Sequence, residues 1–293
     1  LKDGDIIFFE STVFPGLTRS LKKKYFGNKN VYIGYSPERI NPGDKINTIK
    51  TITKIVAFDK CPKEIEKIIF KVYKIISSKI VFSKSIENAE MSKVIENIQR
   101  DINIAFMNEI FMVSKKLKLD FTKVINLAKT KWNFLDFSPG LVGGHCLPID
   151  PYYLYSLAKK QKHDAKFMLA GRKVNDELSN FIRSQIEKII DQKKLKKILI
   201  LGVSYKANVA DLRNSLSLKI YQSLKKKYKN KVFAYDPVIN KGNARKLRIL
   251  TKKKNIDYYD LVIPLVNHKI FKKEFSNDFK KNNKRYLDYF NYF

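Results

Sequence analysis

The chain has 293 residues, 44% of them apolar, a formal net charge of +31 and two cysteines. That length and apolar content exclude a disordered chain and leave room for about two cored domains. Cys61 and Cys146 lie far apart, with no Cys/His partners at ligand spacing, which excludes a disulfide framework and a zinc site.

The positive charge alone suggests nucleic acid. Its lysines, however, sit in short runs such as Lys22–Lys24 and Lys225–Lys227, at element ends and without a nucleic-acid-binding motif. A lysine-biased surface is the preferred reading, and an anionic small substrate is compatible with it. No run of 18 apolar residues and no charged-then-apolar leader occurs, so the expectation is a soluble cytoplasmic protein. The chain opens on Leu1, enters a strand almost at once and reads as the later part of a longer protein.

Asp5–Phe9 is an apolar run that predicts a buried strand, followed by the polar turn Glu10–Thr18 and a short helix around Arg19–Tyr25. A second strand, Val31–Tyr35, runs into the polar loop Ser36–Asp44. Strand ends followed by polar loops are where open α/β sheets place ligands. Ile55–Phe58 is a third strand, Cys61–Ser77 an amphipathic helix with Ile65, Ile68, Ile69, Val72 and Ile75 apolar, and Ile80–Phe82 a short strand. Residues 1–84 therefore read as part of a Rossmann-like sheet.

From Ser85 to Leu117 the pattern predicts one helix about 45 Å long, with Val94, Ile98, Ile102, Ala105 and Ile110 in a stripe. Such a helix bridges domains or subunits. Lys93 and Asn97, four residues apart, share a face at the edge of that stripe, and spacing alone favours a solvated polar edge. Asp120 is expected to cap a helix through Lys131, and a further helix covers Lys166 to Ile190, including Arg172 and Asn175.

Between them lies Gly140–Leu154, which contains Cys146. Gly143 and Gly144 permit positive φ or close approach to a ligand, and Pro148 bars a continuous helix, so Cys146 is expected on a loop. Asp150 and Pro151 read as the cap and first residue of the next helix. A thiol just ahead of a helix N-terminus is activated as thiolate. A lone cysteine is equally a small buried hydrophobe, and Asp150 equally only a cap.

From Lys194 a strand at Ile198, a helix to Leu224, a strand at Val232–Tyr235 and another at Leu261–Val266 predict a second Rossmann-like domain with parallel strands. Lys206 and Arg213 follow the first of these strands, where they would meet a phosphate; surface charge explains them equally well. The fold class is α/β: a partial Rossmann-like domain (1–84), a central helical domain with one long helix (85–192) and a second Rossmann-like domain (193–293).

Five motifs, in order, carry a resemblance: Ser11-Thr-Val-Phe-Pro-Gly16, Tyr35-Ser-Pro-Glu-Arg-Ile-Asn-Pro-Gly43, Ala89-Glu-Met-Ser-Lys-Val-Ile-Glu-Asn97, Gly143-Gly-His-Cys-Leu-Pro-Ile-Asp150, and Gly202-Val-Ser-Tyr-Lys206 with Asp211-Leu-Arg213. Together they resemble the nucleotide-sugar 6-dehydrogenases. Asn41–Asp44 and Lys131-Trp-Asn-Phe134 are most similar to enzymes that make UDP-N-acetylhexosaminuronic acids for surface polysaccharides.

The resemblance implies a four-electron oxidation of a sugar C6 alcohol by two NAD molecules in turn, through a thiohemiacetal and a thioester on Cys146. It assigns Lys93 and Asn97 to the developing oxyanion, Asp150 with Thr12 to a water and proton removal, and Glu38 to thioester hydrolysis. Thr12 and Arg213 fall to the cofactor. Lys206 and Gly143 fall to the UDP-sugar, with Arg172 and Asn175 either reaching it or packing. With the long helix it further implies a homodimer or higher homo-oligomer, and the charge distribution, hydropathy and cysteine spacing above predict no nucleic acid, membrane or metal.

Family members begin with a glycine-rich dinucleotide fingerprint, yet no G-x-G-x-x-G occurs in these 293 residues. The expectation is a fragment short of about 100 residues, at roughly 30 per βαβ step. The competing expectations are a non-catalytic remnant that only dimerises and a basic nucleic-acid-binding protein.

Overall fold

The computed structural model describes residues 1–27, 29–41, 44, 46–145, 147–252, 255–281 and 285–293. In chain order the elements are β1 (Ile6–Phe9), α1 (Leu17–Leu21) continued by a π-helical turn (Lys22–Phe26), β2 (Tyr32–Tyr35), β3 (Lys54–Phe58), α2 (Lys63–Ile76), β4 (Ile80–Ser83) and α3 (Ile86–Lys116). There follow α4 (Phe121–Ala128), α5 (Asp150–Lys160), α6 (Lys166–Gln192), β5 (Ile198–Leu201), α7 (Leu216–Tyr228), β6 (Val232–Tyr235), α8 (Lys241–Leu247), β7 (Leu261–Pro264) and α9 (Lys269–Lys281). Two compact units result, Leu1–Gln99 with Ile149–Ala165, and Arg100–Pro148 with Lys166–Phe293; α3 contributes its first part to one and its second part to the other.

The first unit holds a sheet in the order β1-β2-β3-β4. β1 and β2 are parallel, as are β3 and β4, whereas β2 and β3 are antiparallel, with Gly34 opposite Phe58 and Tyr35 opposite Ala57. A parallel return needs a crossover element. The described residues between β2 and β3 form only turns and bends, so the chain comes back antiparallel. One face buries Val31, Ile33, Tyr35 and Ala57 with Ile86 and Ala89 of α3; the other buries Val56 with Ile69 and Tyr73 of α2.

The second unit has a parallel sheet in the order β6-β5-β7, as the strand–helix–strand pattern predicts. β5 is buried at every position because it is central and covered on both faces. Leu178, Ile182, Ile186 and Ile190, every fourth residue of α6, form a stripe against that core, each contributing about 1.5–3 kcal/mol by burial. Phe271 and Phe275 of α9 cover the opposite face with Leu199 and Leu201. No helix among the described residues is long and apolar enough to cross a membrane, and no group of three or more His, Cys, Asp or Glu among them is placed to hold a metal ion.

Two burial expectations are corrected: β1, which stands at the end of the sheet order, is half-buried and not buried, and Ile68, Val72 and Ile75 of α2 are exposed because the helix packs on the sheet through Ile69 and Tyr73. Asp120 accepts hydrogen bonds from the amides of Thr122 and Lys123 and so caps α4, but the helix ends at Ala128. The expectation for Asp150 is corrected: Ile149 occupies the cap position, and Asp150 is the first helical residue.

Candidate active site

The first unit carries Thr12, Glu38, Lys93, Asn97 and Asp150; the second carries Gly143, Arg172, Asn175, Lys206 and Arg213. Cys146 lies outside the described residues, as do Pro42 and Gly43 of the Tyr35–Gly43 motif.

In the first unit the organising feature is α3. Glu90 and Asn97 lie seven residues apart, and both are buried, at 0% and 2% exposure. The solvated-edge reading therefore fails for Asn97. Glu90 accepts hydrogen bonds from the backbone amides of Gly16 (2.5 Å) and Thr18 (2.9 Å), pinning the loop that follows β1 and contains Thr12. Asn97 donates from Nδ2 to Asp150 Oδ2 at 2.6 Å, and both side chains are buried. Lys93 lies between Glu90 and Asn97 along the helix and is half-buried. Arg39, next to Glu38, pairs with Glu96 at 2.8 Å, so α3 also holds the loop after β2.

The Glu38 carboxylate accepts from the Ile40 amide at 2.6 Å and faces Lys54 Nζ at 3.5 Å. Lys54, at 2% exposure, also faces Glu10 at 3.2 Å, and the Tyr73 hydroxyl donates to Glu10. Lys54 carries little signal in the sequence, where it is a charge opening an otherwise apolar strand. Burial raises the Tyr35 hydroxyl pKa, and the negative charges of Glu90, Asp150 and Glu96 raise it further, so Tyr35 stays protonated.

In the second unit the glycines before Cys146 are needed for backbone reasons. Gly144 has φ of 88°, and a Cβ there would stand 2.9 Å from the Tyr205 ring. A Cβ on Gly143 would stand 2.7 Å from the carbonyl oxygen of Asn214. The close approach at these glycines is thus to the protein's own chain. Asn214 also donates from Nδ2 to the Gly144 carbonyl at 3.0 Å.

Arg172 and Asn175 are buried at 2% and 0% exposure and turn to Asp101: Arg172 Nη1 lies 2.5 Å, and Asn175 Nδ2 2.8 Å, from Asp101 Oδ1. Asn175 Oδ1 in turn accepts from Asn108 Nδ2 at 2.8 Å. Arg213 lies at the surface in an ion pair with Asp211 at 2.6 Å, and the Arg213 hydrogen bonds hold the Asp211 carboxyl below the usual range. Lys206 is half-buried, and its carbonyl accepts from Ser204 Oγ.

The loop bearing Lys206 is held by Asp236 and His268, a pair invisible to pattern reading. Asp236 Oδ2 accepts from the amides of Val203 (2.8 Å) and Ser204 (2.9 Å). The Asn208 amide donates to His268 Nδ1 at 2.9 Å, which assigns the proton to Nε2, 3.2 Å from both Asp236 Oδ2 and Ser204 Oγ. Burial would raise the Asp236 carboxyl, but His268 and the two amides outweigh it and hold it below the ordinary value.

The glycine turn after β1 does not supply a pyrophosphate cradle. The pyrophosphate of NAD sits on glycine-rich backbone amides at a helix N-terminus. The glycine turn after β1, where Gly16 has φ of 89°, has its Gly16 and Thr18 amides occupied by Glu90.

Residues 87–177 match the central domain of the UDP-glucose/GDP-mannose dehydrogenase family, and residues 199–293 match the UDP binding domain of the same family. The chain is 39% identical over 297 residues to Protein CapL of Staphylococcus aureus, covering 97% of this chain and 68% of that protein. It is 38% identical over 294 residues to the UDP-N-acetyl-D-glucosamine 6-dehydrogenase of Salmonella typhi, covering 96% and 68%. Among solved structures, the UDP-D-ManNAc dehydrogenase from Pyrococcus horikoshii superposes with a TM-score of 0.80 at 25% identity, over 100% of this chain and 70% of that one.

Proposed function

Because the chain belongs to the UDP-glucose/GDP-mannose dehydrogenase family, we propose that it carries the catalytic and UDP-sugar-binding parts of a UDP-N-acetylhexosamine 6-dehydrogenase, with NAD as the hydride acceptor. The observation that carries this reading is the buried Asn97–Asp150 pair, which gathers two residues of separate motifs beside Lys93 on α3. The proposed division is a partial cofactor domain at 1–84, a central domain at 85–192 and a UDP-sugar domain at 193–293.

In this reading the C6 alcohol loses a hydride and a proton to give the aldehyde. Cys146, as thiolate, adds to that carbon and forms a thiohemiacetal, whose second oxidation leaves a thioester. Water then displaces the thiolate and releases the carboxylate, with Glu38 taking the proton of the attacking water. Lys93 and Asn97 stabilise the negative oxygen of each tetrahedral species, a role worth about 3–4 kcal/mol for one donor. Asp150 and Thr12 hold the water through which the proton of the alcohol is removed. Lys206 meets the diphosphate, and the loop at Gly143 lines the sugar. Arg213 is proposed to face the cofactor. The product suits a biosynthetic role in surface polysaccharide.

Ile95, Phe106 and Val113 of α3 fall on one helical face and are 49%, 55% and 44% exposed. Such a face supports a homodimer formed through α3. The sedimentation of Phe106→Glu with Val113→Glu tests this, and an unchanged dimer would remove it.

Alkylation of Cys146, read by peptide mass spectrometry, tests the reaction without NAD. UDP-N-acetylglucosamine and UDP-N-acetylmannosamine are expected to protect the thiol, and UDP-glucose less so. Labelling unaffected by saturating nucleotide sugar would overturn the assignment.

A further inference from the structure

Four buried side chains between α3 and α6 form a hydrogen-bonded chain whose direction is fixed at every step. Asp101 is 0% exposed, and as a carboxylate it only accepts. Asn175 must therefore turn Nδ2 towards it, and does so, donating to Asp101 Oδ1 at 2.8 Å and to the Asp101 carbonyl at 3.0 Å. That leaves Asn175 Oδ1 facing Asn108, which answers with Nδ2 at 2.8 Å. With its amide oriented in this way, Asn108 meets one peptide unit at both ends. Nδ2 donates to the Gly140 carbonyl at 3.1 Å, and Oδ1 accepts from the Gly140 amide at 2.8 Å. Gly140 opens the loop Gly140-Leu-Val-Gly-Gly-His-Cys146.

An amide can flip at little cost when its surroundings are symmetric. Here a single charge, placed at the far end, forbids the flip at two successive amides. Keeping Asp101 charged has a cost. Burial raises the Asp101 carboxyl above its ordinary value despite the Arg172 charge beside it, so between the ordinary carboxylate range and the raised value stability falls as pH rises.

We propose that Asp101, acting through the amides of Asn175 and Asn108, sets the place of Gly140 and hence of the loop that carries Cys146; Asp101 and Asn108 are positioning residues for the cysteine. The proposal rests on the reading of Cys146 as the nucleophile. Arg172 and Asn175, on this account, serve the loop and not the nucleotide sugar directly.

The test compares alkylation of Cys146 with that of Cys61 in the same molecules. Cys61 is a half-buried free thiol just before α2, in the other compact unit. General loosening of the fold speeds both thiols, whereas loss of positioning changes Cys146 alone. In Asn108→Asp, an oxygen replaces the Nδ2 donor and faces the Gly140 carbonyl and Asn175 Oδ1. In Asp101→Asn, the shape is kept and the charge that orders the amides is lost. The Cys146-to-Cys61 labelling ratio is expected to change about fivefold or more in both variants, the factor carried by one net hydrogen bond. Protection by UDP-N-acetylglucosamine is expected to weaken in parallel. If Asn108→Asp fails to fold, the isosteric Asp101→Asn decides alone. A ratio equal to wild type in a folded variant would overturn the proposal. Absence of protection in wild type would overturn the nucleophile reading instead, while the ratio still judges the relay.

Discussion

Asn97 donates its side-chain amide to Asp150 across 2.6 Å, with both residues at 2% exposure. One partner comes from the middle of a long helix and the other from the first residue of a helix 53 positions later. A hydrogen bond to a buried charge contributes about 1.5–3 kcal/mol, and the like-charge alternative is worse than a simple loss.

Asn97→Asp is therefore expected to destabilise the protein more than Asn97→Ala at neutral pH, since it sets two carboxylates against each other. The gap should close on acidification, as the pair takes up a shared proton. Thermal unfolding across pH checks this. Identical melting of the two variants at neutral pH would contradict the pairing.

Glu90→Gln should release the loop after β1. A glutamine can accept one of the two amides now bound by the carboxylate, Gly16 or Thr18, but its own NH₂ would oppose the other. The cost is about 1–3 kcal/mol for the orphaned group. Amide hydrogen exchange at Gly16 and Thr18 is the measurement, and one of the two should lose protection. Full protection at both would show that the loop is held some other way.

Gly144→Ala and Gly143→Ala are both expected to be destabilising, but for separable reasons. At Gly144 a methyl group meets the Tyr205 ring, in addition to roughly 1–2 kcal/mol for a left-handed L-residue. At Gly143 it meets the backbone oxygen of Asn214, which cannot turn away. Adding Tyr205→Ala should recover part of the Gly144→Ala loss and none of the Gly143→Ala loss, as a double-mutant cycle in urea would show. Equal recovery in both would mean that Asn214 does not set the limit at Gly143.

The depressed Asp236 carboxyl gives a pH dependence with a defined sign. Its contribution to stability is present above the unfolded value of about 4 and is lost as pH falls through the lower folded value. Asp236→Asn should thus lower the urea midpoint at neutral pH and flatten its fall on acidification. A wild-type and variant difference that persists undiminished at strongly acid pH would show that Asp236 acts through shape and not through charge.

The local elements were readable from the sequence because they depend on near neighbours. The long helix was expected over Ser85–Leu117 and spans Ile86–Lys116, and the parallel three-stranded sheet follows from apolar runs at crossover spacing. The glycine positions were legible in part, since Gly16 and Gly144 take positive φ, whereas the cap at Asp150 was not, because the helix begins one residue earlier. Direction in the first sheet was not, because nothing in an apolar run states whether β3 returns parallel or antiparallel to β2.

What only the tertiary structure decided is the set of partners. Glu90, Asn97, Asp101 and Asn108 recur along α3 at spacings of seven, four and seven, which is a helical face, and periodicity assigns a polar face to solvent. All four are buried. Their partners stand 74, 53, 71 and 32 residues away at Gly16, Asp150, Arg172 and Gly140. The same holds for Lys54 against Glu10 and for His268 against Asp236. A sequence determines which groups can donate or accept, whereas the desolvation that makes each bond obligatory arises only when distant segments close over it.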